Sequence, residues 1–194
     1  RHPRFSFIDH FFDEQATLAE IESARVEERG DFATGAFDLL SARANDRRAE
    51  AQMTRQGRIG AATARLSKTI IVEDARVTCQ YRLQGLEGSA QVVFSPELNL
   101  TLLAGQASDR YYRVDPSPEG LDRNLGSRGE LPGSATVELV DEWDRFAIRI
   151  KAPGADGVIA PGGFLIEGEK NSRLSGSSRW TTYDNIIANV TIVA

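Results

Sequence analysis

One face of a predicted strand within residues 95–114 carries side chains that could bind a ligand. Apolar and polar residues alternate there, and successive side chains of a strand point to opposite faces. The polar face presents a carboxylate and an amide, at Glu97 and Asn99. It either faces solvent or lines a site, because Glu and Asn are otherwise unfavourable in strands. A second predicted strand follows and carries Arg110 and Tyr112.

These groups are chemically suited to a sugar. The C–H faces of a sugar pack against aromatic rings, which are large apolar surfaces, and its hydroxyls hydrogen-bond to carboxylate, amide and guanidinium groups. The sequence therefore predicts a carbohydrate-binding site formed by Glu97, Asn99, Arg110, Tyr112 and Trp143. The alternative is an ordinary solvated β-surface, which has the same composition.

The segment Asp-Glu-Trp-Asp at residues 141–144 is predicted to be the tip of a β-hairpin between strands at 135–140 and 145–150. Its carboxylates could ligate calcium, although they lack the ligand spacing of an EF-hand loop. The other interpretation is a solvated turn in which Trp143 is exposed or wedged against the domain.

Few residues suit catalysis. The two histidines, His2 and His10, lie in the first ten residues, and neither has metal-ligand spacing. His10 follows Asp9, and this pair is either an oriented base or a hydrogen-bonded structural pair. The single cysteine, Cys79, shares strand parity with Tyr81, so we expect a buried thiol rather than a nucleophile. Nucleophile-elbow, P-loop and dinucleotide motifs are missing from the sequence. We predict no catalytic residue, metal ligand or cofactor.

Composition favours one globular domain. The 194 residues are 41% hydrophobic and 26% charged, enough to bury a core without disulfides or metal. The net charge of −5 argues against nucleic acid as a partner. No apolar run reaches the ~20 residues of a membrane helix. Since the chain starts at Arg1 without a signal-peptide pattern, we expect a piece of a longer protein. A lone cysteine fits a cytoplasmic location.

The elements that must position these residues are mostly strands. A capping box of Thr17 and Glu20 predicts one short N-terminal helix, which ends at Gly30. Residues 41–57 are predicted to be a loop or frayed strand, residues 95–96 a turn and residues 115–133 a long connecting loop. Period-2 patterns predict strands at 32–40, 59–66, 68–73, 76–83, 90–94, 98–103, 110–114, 164–166, 180–183 and 186–193, after a first strand that ends at Phe12.

Five short motifs occur in order between residues 4 and 150. They are Arg4-x-x-x-Ile8-Asp9-His10-Phe11, Glu28-x-Gly30-Asp31-Phe32, Pro96-Glu97-Leu98-Asn99-Leu100 with Leu103-Ala104-Gly105, Arg110-Tyr111-Tyr112, and Val140-Asp141-Glu142-Trp143. Together they resemble the C-terminal β-sandwich domain of the α-amylase and 4-α-glucanotransferase enzymes of glycoside hydrolase family 57. Residues 152–194 depart from that family's pattern.

The resemblance implies an all-β fold, a galactose-mutarotase-like supersandwich of antiparallel sheets, which we expect to span residues 1–194 as one domain with the short N-terminal helix. It also implies a parent enzyme that acts on α-1,4-glucans by a retaining mechanism. The catalytic residues of such an enzyme belong to a barrel domain that precedes this one, so none is assigned here.

Three hypotheses follow. The first is a non-catalytic accessory domain whose partners are an α-glucan or oligosaccharide and the catalytic barrel of the same protein. The second is a purely structural or interaction sandwich without a ligand, and the third is a mutarotase- or epimerase-like enzyme. Exposure of both Trp143 and Tyr112 on one concave face would favour sugar binding, and burial of both would favour a scaffold. A solvated Glu97 predicts a neutral Glu97→Ala variant.

Overall fold

The computed structural model describes residues 6–13, 15–17, 20–21, 25–86, 92–100, 104–115, 117, 119–131, 136–151, 161–168, 172–180 and 186–193; for 128–130 and from 161 onward it describes the backbone alone. In this part of the chain thirteen β-strands are defined. They are β1 Ile8–Asp13, β2 Asp38–Ala44, β3 Arg48–Ile59, β4 Ala62–Glu73, β5 Arg76–Gln84, β6 Val92–Asn99, β7 Arg110–Arg113, β8 Arg128–Leu131, β9 Thr136–Asp141, β10 Phe146–Lys151, β11 Pro161–Gly168, β12 Ser172–Trp180 and β13 Ile186–Val193.

The strands form two sheets. The five-stranded sheet has the order β1-β6-β12-β11-β8, and the eight-stranded sheet has the order β2-β3-β4-β5-β13-β10-β9-β7. The strand pairs are antiparallel. The predicted all-β antiparallel class is therefore confirmed.

The core lies between the two sheets and is rich in aromatic rings. Phe11 of β1 contacts Phe94 of β6 at a centroid distance of 5.0 Å. Tyr81 of β5 meets the same Phe94 edge-on at 5.1 Å, which joins the eight-stranded sheet to the five-stranded sheet. Alternate residues of both inner faces are buried in this way, as in other sandwiches. Cys79 is buried in this core, as predicted.

Of the two alternatives predicted for residues 41–57, the loop was wrong, and the strand is regular rather than frayed, because this segment forms most of the β2–β3 hairpin. Asn45 makes the turn, with its Oδ1 accepting the backbone N–H groups of Arg47 and Arg48 at 3.0 and 2.9 Å. At the turn end of the hairpin, the paired inward positions carry Ala42, Ala44, Ala49 and Ala51. Ala is depleted in strands and gives little hydrophobic contrast. The period-2 signal was therefore too weak to see.

Three other predictions were wrong. The expected turn at 95–96 does not occur, since β6 continues through Pro96, held between β1 and β12. Pro removes one ladder donor and so imitates a break in the sequence. The predicted strand at 59–66 instead contains a turn at Gly60, whose φ is +60°, and β8 lies inside the supposed long loop.

The predicted capping box is present. The Thr17 backbone N–H donates to Glu20 Oε2 at 3.0 Å, and the Glu20 N–H donates to Thr17 Oγ1 at 3.2 Å. Helical backbone is described at Glu20 and Ile21, and residues 18–19 and 22–24 lie outside the described residues. Residues 25–29 are not helical, so the predicted end of the helix at Gly30 was wrong, and the Arg29 N–H donates instead to the Phe11 carbonyl of β1 at 2.7 Å. In the described ranges, no helix has the length and apolar character needed to cross a membrane.

Candidate functional site

The five predicted site residues are divided between the two sheets. Glu97 and Asn99 lie on β6 of the five-stranded sheet, whereas Arg110 and Tyr112 lie on β7, the edge strand of the eight-stranded sheet. Trp143 lies in the turn between β9 and β10, next to β7. The structure therefore brings the last three into one region and places the first two elsewhere.

Glu97 belongs to a buried hydrogen-bond cluster around His10. His10 Nε2 lies 3.1 Å from Glu97 Oε2, and His10 Nδ1 lies 3.3 Å from Glu28 Oε1. Asn99 Nδ2 donates to Glu97 Oε1 at 2.7 Å. Glu97 is only 1% exposed. At Glu97 the polar face of β6 is thus neither solvated nor open, because Glu97 lies under partners from β1 and from the segment that contains Glu28, whereas Asn99 is half-buried.

The charge state of His10 follows from this geometry. Burial lowers the pKa of His10, but the hydrogen bonds and charges of Glu28 and Glu97 outweigh burial and raise that pKa to about 9. The ring is therefore an imidazolium at neutral pH. Both of its nitrogens face carboxylates, so it holds a proton instead of accepting one from a substrate.

The Asp9-His10 pair predicted from the sequence is wrong, because neighbours on a strand point to opposite faces. Asp9 points into the core, where Lys68 Nζ donates to its Oδ2 at 2.6 Å. The same Nζ donates to the Phe7 carbonyl at 3.0 Å and lies 4.1 Å from the centroid of the Phe37 ring. Burial raises the pKa of Asp9 to about 6, although Lys68 acts to lower it.

This buried Asp9–Lys68 pair was missed by the sequence analysis. A signal for it was available, because Lys68 has the strand parity of the buried Leu66 and is an inward-facing charge in an apolar row. The sequence could have indicated the need for a partner, but not its identity, since 59 residues separate Lys68 from Asp9.

The turn between β9 and β10 carries the exposed ring of Trp143 and is held in place by hydrogen bonds to β7. Arg110 Nε donates to Asp141 Oδ2 at 2.7 Å, and the Asp144 backbone N–H donates to Asp141 Oδ1 at 2.9 Å. The Tyr111 hydroxyl donates to Glu142 Oε1 at 2.9 Å. Trp143 is 74% exposed. Of the two interpretations of this segment, the solvated turn with an exposed Trp is the one observed.

Calcium does not suit this turn, because Arg110 already neutralises Asp141. Over the described ranges, no group of three or more His, Cys, Asp or Glu residues is arranged to hold a metal ion.

Tyr112 is fully buried, and its hydroxyl faces the Leu125 carbonyl at 3.4 Å. Tyr111, on the opposite face of β7, is the partly exposed ring. Exposure of both rings was expected for sugar binding and burial of both for a scaffold. Trp143 is exposed and Tyr112 is buried, so neither expectation is met in full.

Replacing Glu97 by Ala is expected to lower the free energy of unfolding by about 1–3 kcal/mol, since His10 then loses one buried hydrogen-bond partner. Urea denaturation at pH 7 measures the change. Glu142→Ala is the control, because Glu142 is exposed and its loss is expected to cost about 0.5 kcal/mol or less. Equal losses for the two variants would contradict a buried cluster.

The two packed antiparallel sheets are similar to those of mutarotase-like β-sandwiches of known structure. A putative aldose 1-epimerase from Escherichia coli K12 superimposes with a TM-score of 0.57 at 11% identity, over 99% of this chain and 80% of that chain. A galactose mutarotase related enzyme from Lactobacillus acidophilus gives a TM-score of 0.52 at 7% identity, over 83% of this chain and 71% of that chain. At these identities the likeness shows the fold alone.

A protein-family model identifies the family within this class of β-sandwiches. The model of the C-terminal domain of α-amylase/4-α-glucanotransferase matches residues 1–160, so the chain belongs to this family. The 4-α-glucanotransferase from Thermococcus litoralis has a TM-score of 0.64 at 15% identity, over 99% of this chain but 28% of that chain. No curated protein matches. The resemblance to the C-terminal domain of the α-amylase and 4-α-glucanotransferase enzymes and the mutarotase-like sandwich are both confirmed.

Proposed function

We propose that this chain is a non-catalytic accessory domain of an enzyme that acts on α-glucans, and that it helps to hold the glucan chain. A catalytic barrel of the same polypeptide would supply the chemistry. Membership of the C-terminal domain family supports the first part of this proposal. We also propose that this enzyme is cytoplasmic, and the lone, buried cysteine supports that location.

The state of the nucleophiles and bases supports a non-catalytic role. His10 is protonated and held between two carboxylates. Burial raises the pKa of Cys79 to about 12, so its thiol is not an available nucleophile. A mutarotase- or epimerase-like enzyme needs a histidine that exchanges protons with the sugar, and His10 does not meet this requirement, whereas His2 lies outside the described residues.

The observation that carries glucan binding is the exposed Trp143 on its braced turn. An exposed Trp ring offers a ligand a large apolar face together with an N–H donor. Next to it, Arg110 and the Tyr111–Glu142 pair offer hydrogen-bonding groups in fixed positions. Arg123 lies over the Tyr111 ring at 5.5 Å and extends this polar margin. A ring flanked by donors and acceptors offers contacts both to the C–H face and to the hydroxyl groups of a glucose unit.

Trp143→Ala is expected to weaken maltoheptaose binding about tenfold, which corresponds to a lost ring contact of about 1.4 kcal/mol. Stability should change by less than about 0.5 kcal/mol, because the ring is exposed. Titration of the 194-residue chain, followed by heteronuclear NMR shifts of the β7 amides, measures the affinity.

Leu39→Ala is the matched control, because Leu39 is another exposed apolar residue at the opposite edge of the same sheet. It should bind maltoheptaose as the parent chain does. If the parent chain shows no saturable shift at millimolar sugar, the glucan-holding role is wrong and the scaffold hypothesis takes its place.

A further inference from the structure

The inner face of the eight-stranded sheet extends beyond the sheet that covers it. Along β4, the inward residues pass from the buried Leu66 and Lys68, through the half-buried Ile70, to Val72, which is 43% exposed. Strand β1 lies over β4 at Lys68, as the contact between Lys68 Nζ and Asp9 shows. The five-stranded sheet therefore covers β4 at Lys68, and this cover has ended by Val72.

The uncovered area is apolar and concave. It consists of two rows of residues paired across three strands, which we name the apolar extension. One row is Ala42, Ala51 and Ile70, and the other is Ala44, Ala49 and Val72. These six residues line a cavity of about 350 Å³, with Arg43 and Glu50 also in its lining. Since alanines project little, an occupant must bring large apolar side chains to fill this space.

The two edges of the sheet differ. On β7, the Tyr112 N–H donates to the Arg123 carbonyl at 2.7 Å, so a loop covers that edge. At the other edge, β2 pairs with β3 alone among the strands that the structure defines. Leu39 and Leu40 on β2 are each 63% exposed. A seven-residue edge strand with exposed leucines favours association with another chain segment.

We propose that the apolar extension and the outer edge of β2 form the surface on which the preceding domain of the same polypeptide docks. This inference rests on the proposed role as an accessory domain. Its occupant is an apolar segment, rich in residues such as Leu, Phe or Met, which inserts into the cavity or pairs with β2. Arg43 and Glu50 provide one charge of each sign beside the cavity, as in the polar margin of an interface.

Two observations favour this occupant over a second copy of the chain. The Phe7 carbonyl accepts a hydrogen bond from Lys68 Nζ at 3.0 Å, so the residue just before β1 lies beside Lys68, two positions along β4 from Ile70 of the apolar extension. This chain also covers only 28% of the Thermococcus litoralis glucanotransferase, and proteins of that size have further domains to dock. A domain joined to this chain docks intramolecularly, at an effective concentration set by the linker, whereas a second copy has to bind from solution.

Hydrogen exchange in the full polypeptide tests the proposal. Amides of residues 38–44 should exchange at least about tenfold more slowly in the full polypeptide than in the 194-residue chain. Ala49→Arg should restore the fast exchange, because Ala49 lies in the apolar extension. Gln56→Arg is the matched control: it places the same side chain on the same strand, but Gln56 is exposed on the opposite face. Its exchange should equal that of the parent polypeptide.

Equal exchange at β2 in the two lengths of chain, or equal effects of the two Arg variants, would overturn the proposal. Concentration-dependent dimerisation of the 194-residue chain that Ala49→Arg abolishes would also overturn it and would assign the surface to a second copy. Failure of the proposed function has a different signature. Maltoheptaose would then produce no shift at β7, whereas slow exchange at β2 in the full polypeptide would still support docking.

Discussion

Lys68→Met is expected to lower the free energy of unfolding by about 3–5 kcal/mol, the usual cost of removing one partner from a buried ion pair. Lys68 Nζ lies 2.6 Å from Asp9 Oδ2, and both side chains are almost fully buried. Without the ammonium group, the Asp9 carboxylate has to lose its charge or the structure around it has to open. Urea denaturation at pH 7 measures the loss.

The pH dependence of this variant has a definite sign. Burial already raises the pKa of Asp9 to about 6, and removing Lys68 takes away the charge that opposes this rise. The folded variant therefore holds a proton on Asp9 that the unfolded chain releases near 3.8. Its stability should increase as the pH falls from 7 to 4, because the protonated carboxyl is neutral.

Two further variants complete the test of the buried pair. Asp9→Asn combined with Lys68→Met should recover part of the loss, since the double variant has no buried charge at this position. Arg48→Met removes an exposed cation, whose Nη2 lies 2.9 Å from Glu50 Oε2, and should cost between about 0 and 1 kcal/mol. A Lys68→Met loss as small as that of Arg48→Met would show that Asp9 is not confined as the structure indicates.

The second large effect concerns pH and His10. Unfolding free energy is expected to fall by about 3 kcal/mol as the pH rises from 6.5 to 9. The unfolded chain releases the His10 proton near 6.5, whereas the folded chain holds it to about 9. The stabilisation is therefore complete below 6.5 and is lost as the pH passes through the folded pKa. Denaturation curves at half-unit pH intervals measure this slope.

The raised pKa values of the other buried groups lie outside this window. That of Asp9 is about 6, and that of Cys79 is about 12. His10→Gln should consequently be less stable at pH 6 and show nearly constant stability between pH 6.5 and 9. A variant with the full slope of the parent chain would show that another group carries the pH dependence.

The parts of the fold that the sequence predicted well are local. The hairpin strands predicted at 135–140 and 145–150 are observed at Thr136–Asp141 and Phe146–Lys151. There, β-branched and aromatic residues alternate with charges on both sides of a short polar turn, so pattern and turn agree. The β2–β3 hairpin lacked such contrast, because its inward residues are mainly alanines.

The candidate site could be predicted only in part, for two physical reasons. Parity shows that Tyr111 and Tyr112 point to opposite faces, but either ring suits a core or a surface, so the choice of Tyr112 as the sugar contact depended on packing. The partner of His10 was hidden by distance along the chain, because 87 residues separate it from Glu97. Only the pairing of β1 with β6 brings these side chains together.

Because Cys79 is buried in the core, the reactivity of its thiol reports how often the core opens. Its strand lies between β4 and β13, and its thiol is completely buried. A maleimide or disulfide reagent can reach this sulfur only after the sheets have separated, so its modification rate measures how often the core opens. A cysteine introduced at an exposed position would react first, which permits selective labelling of the surface while the native thiol is retained.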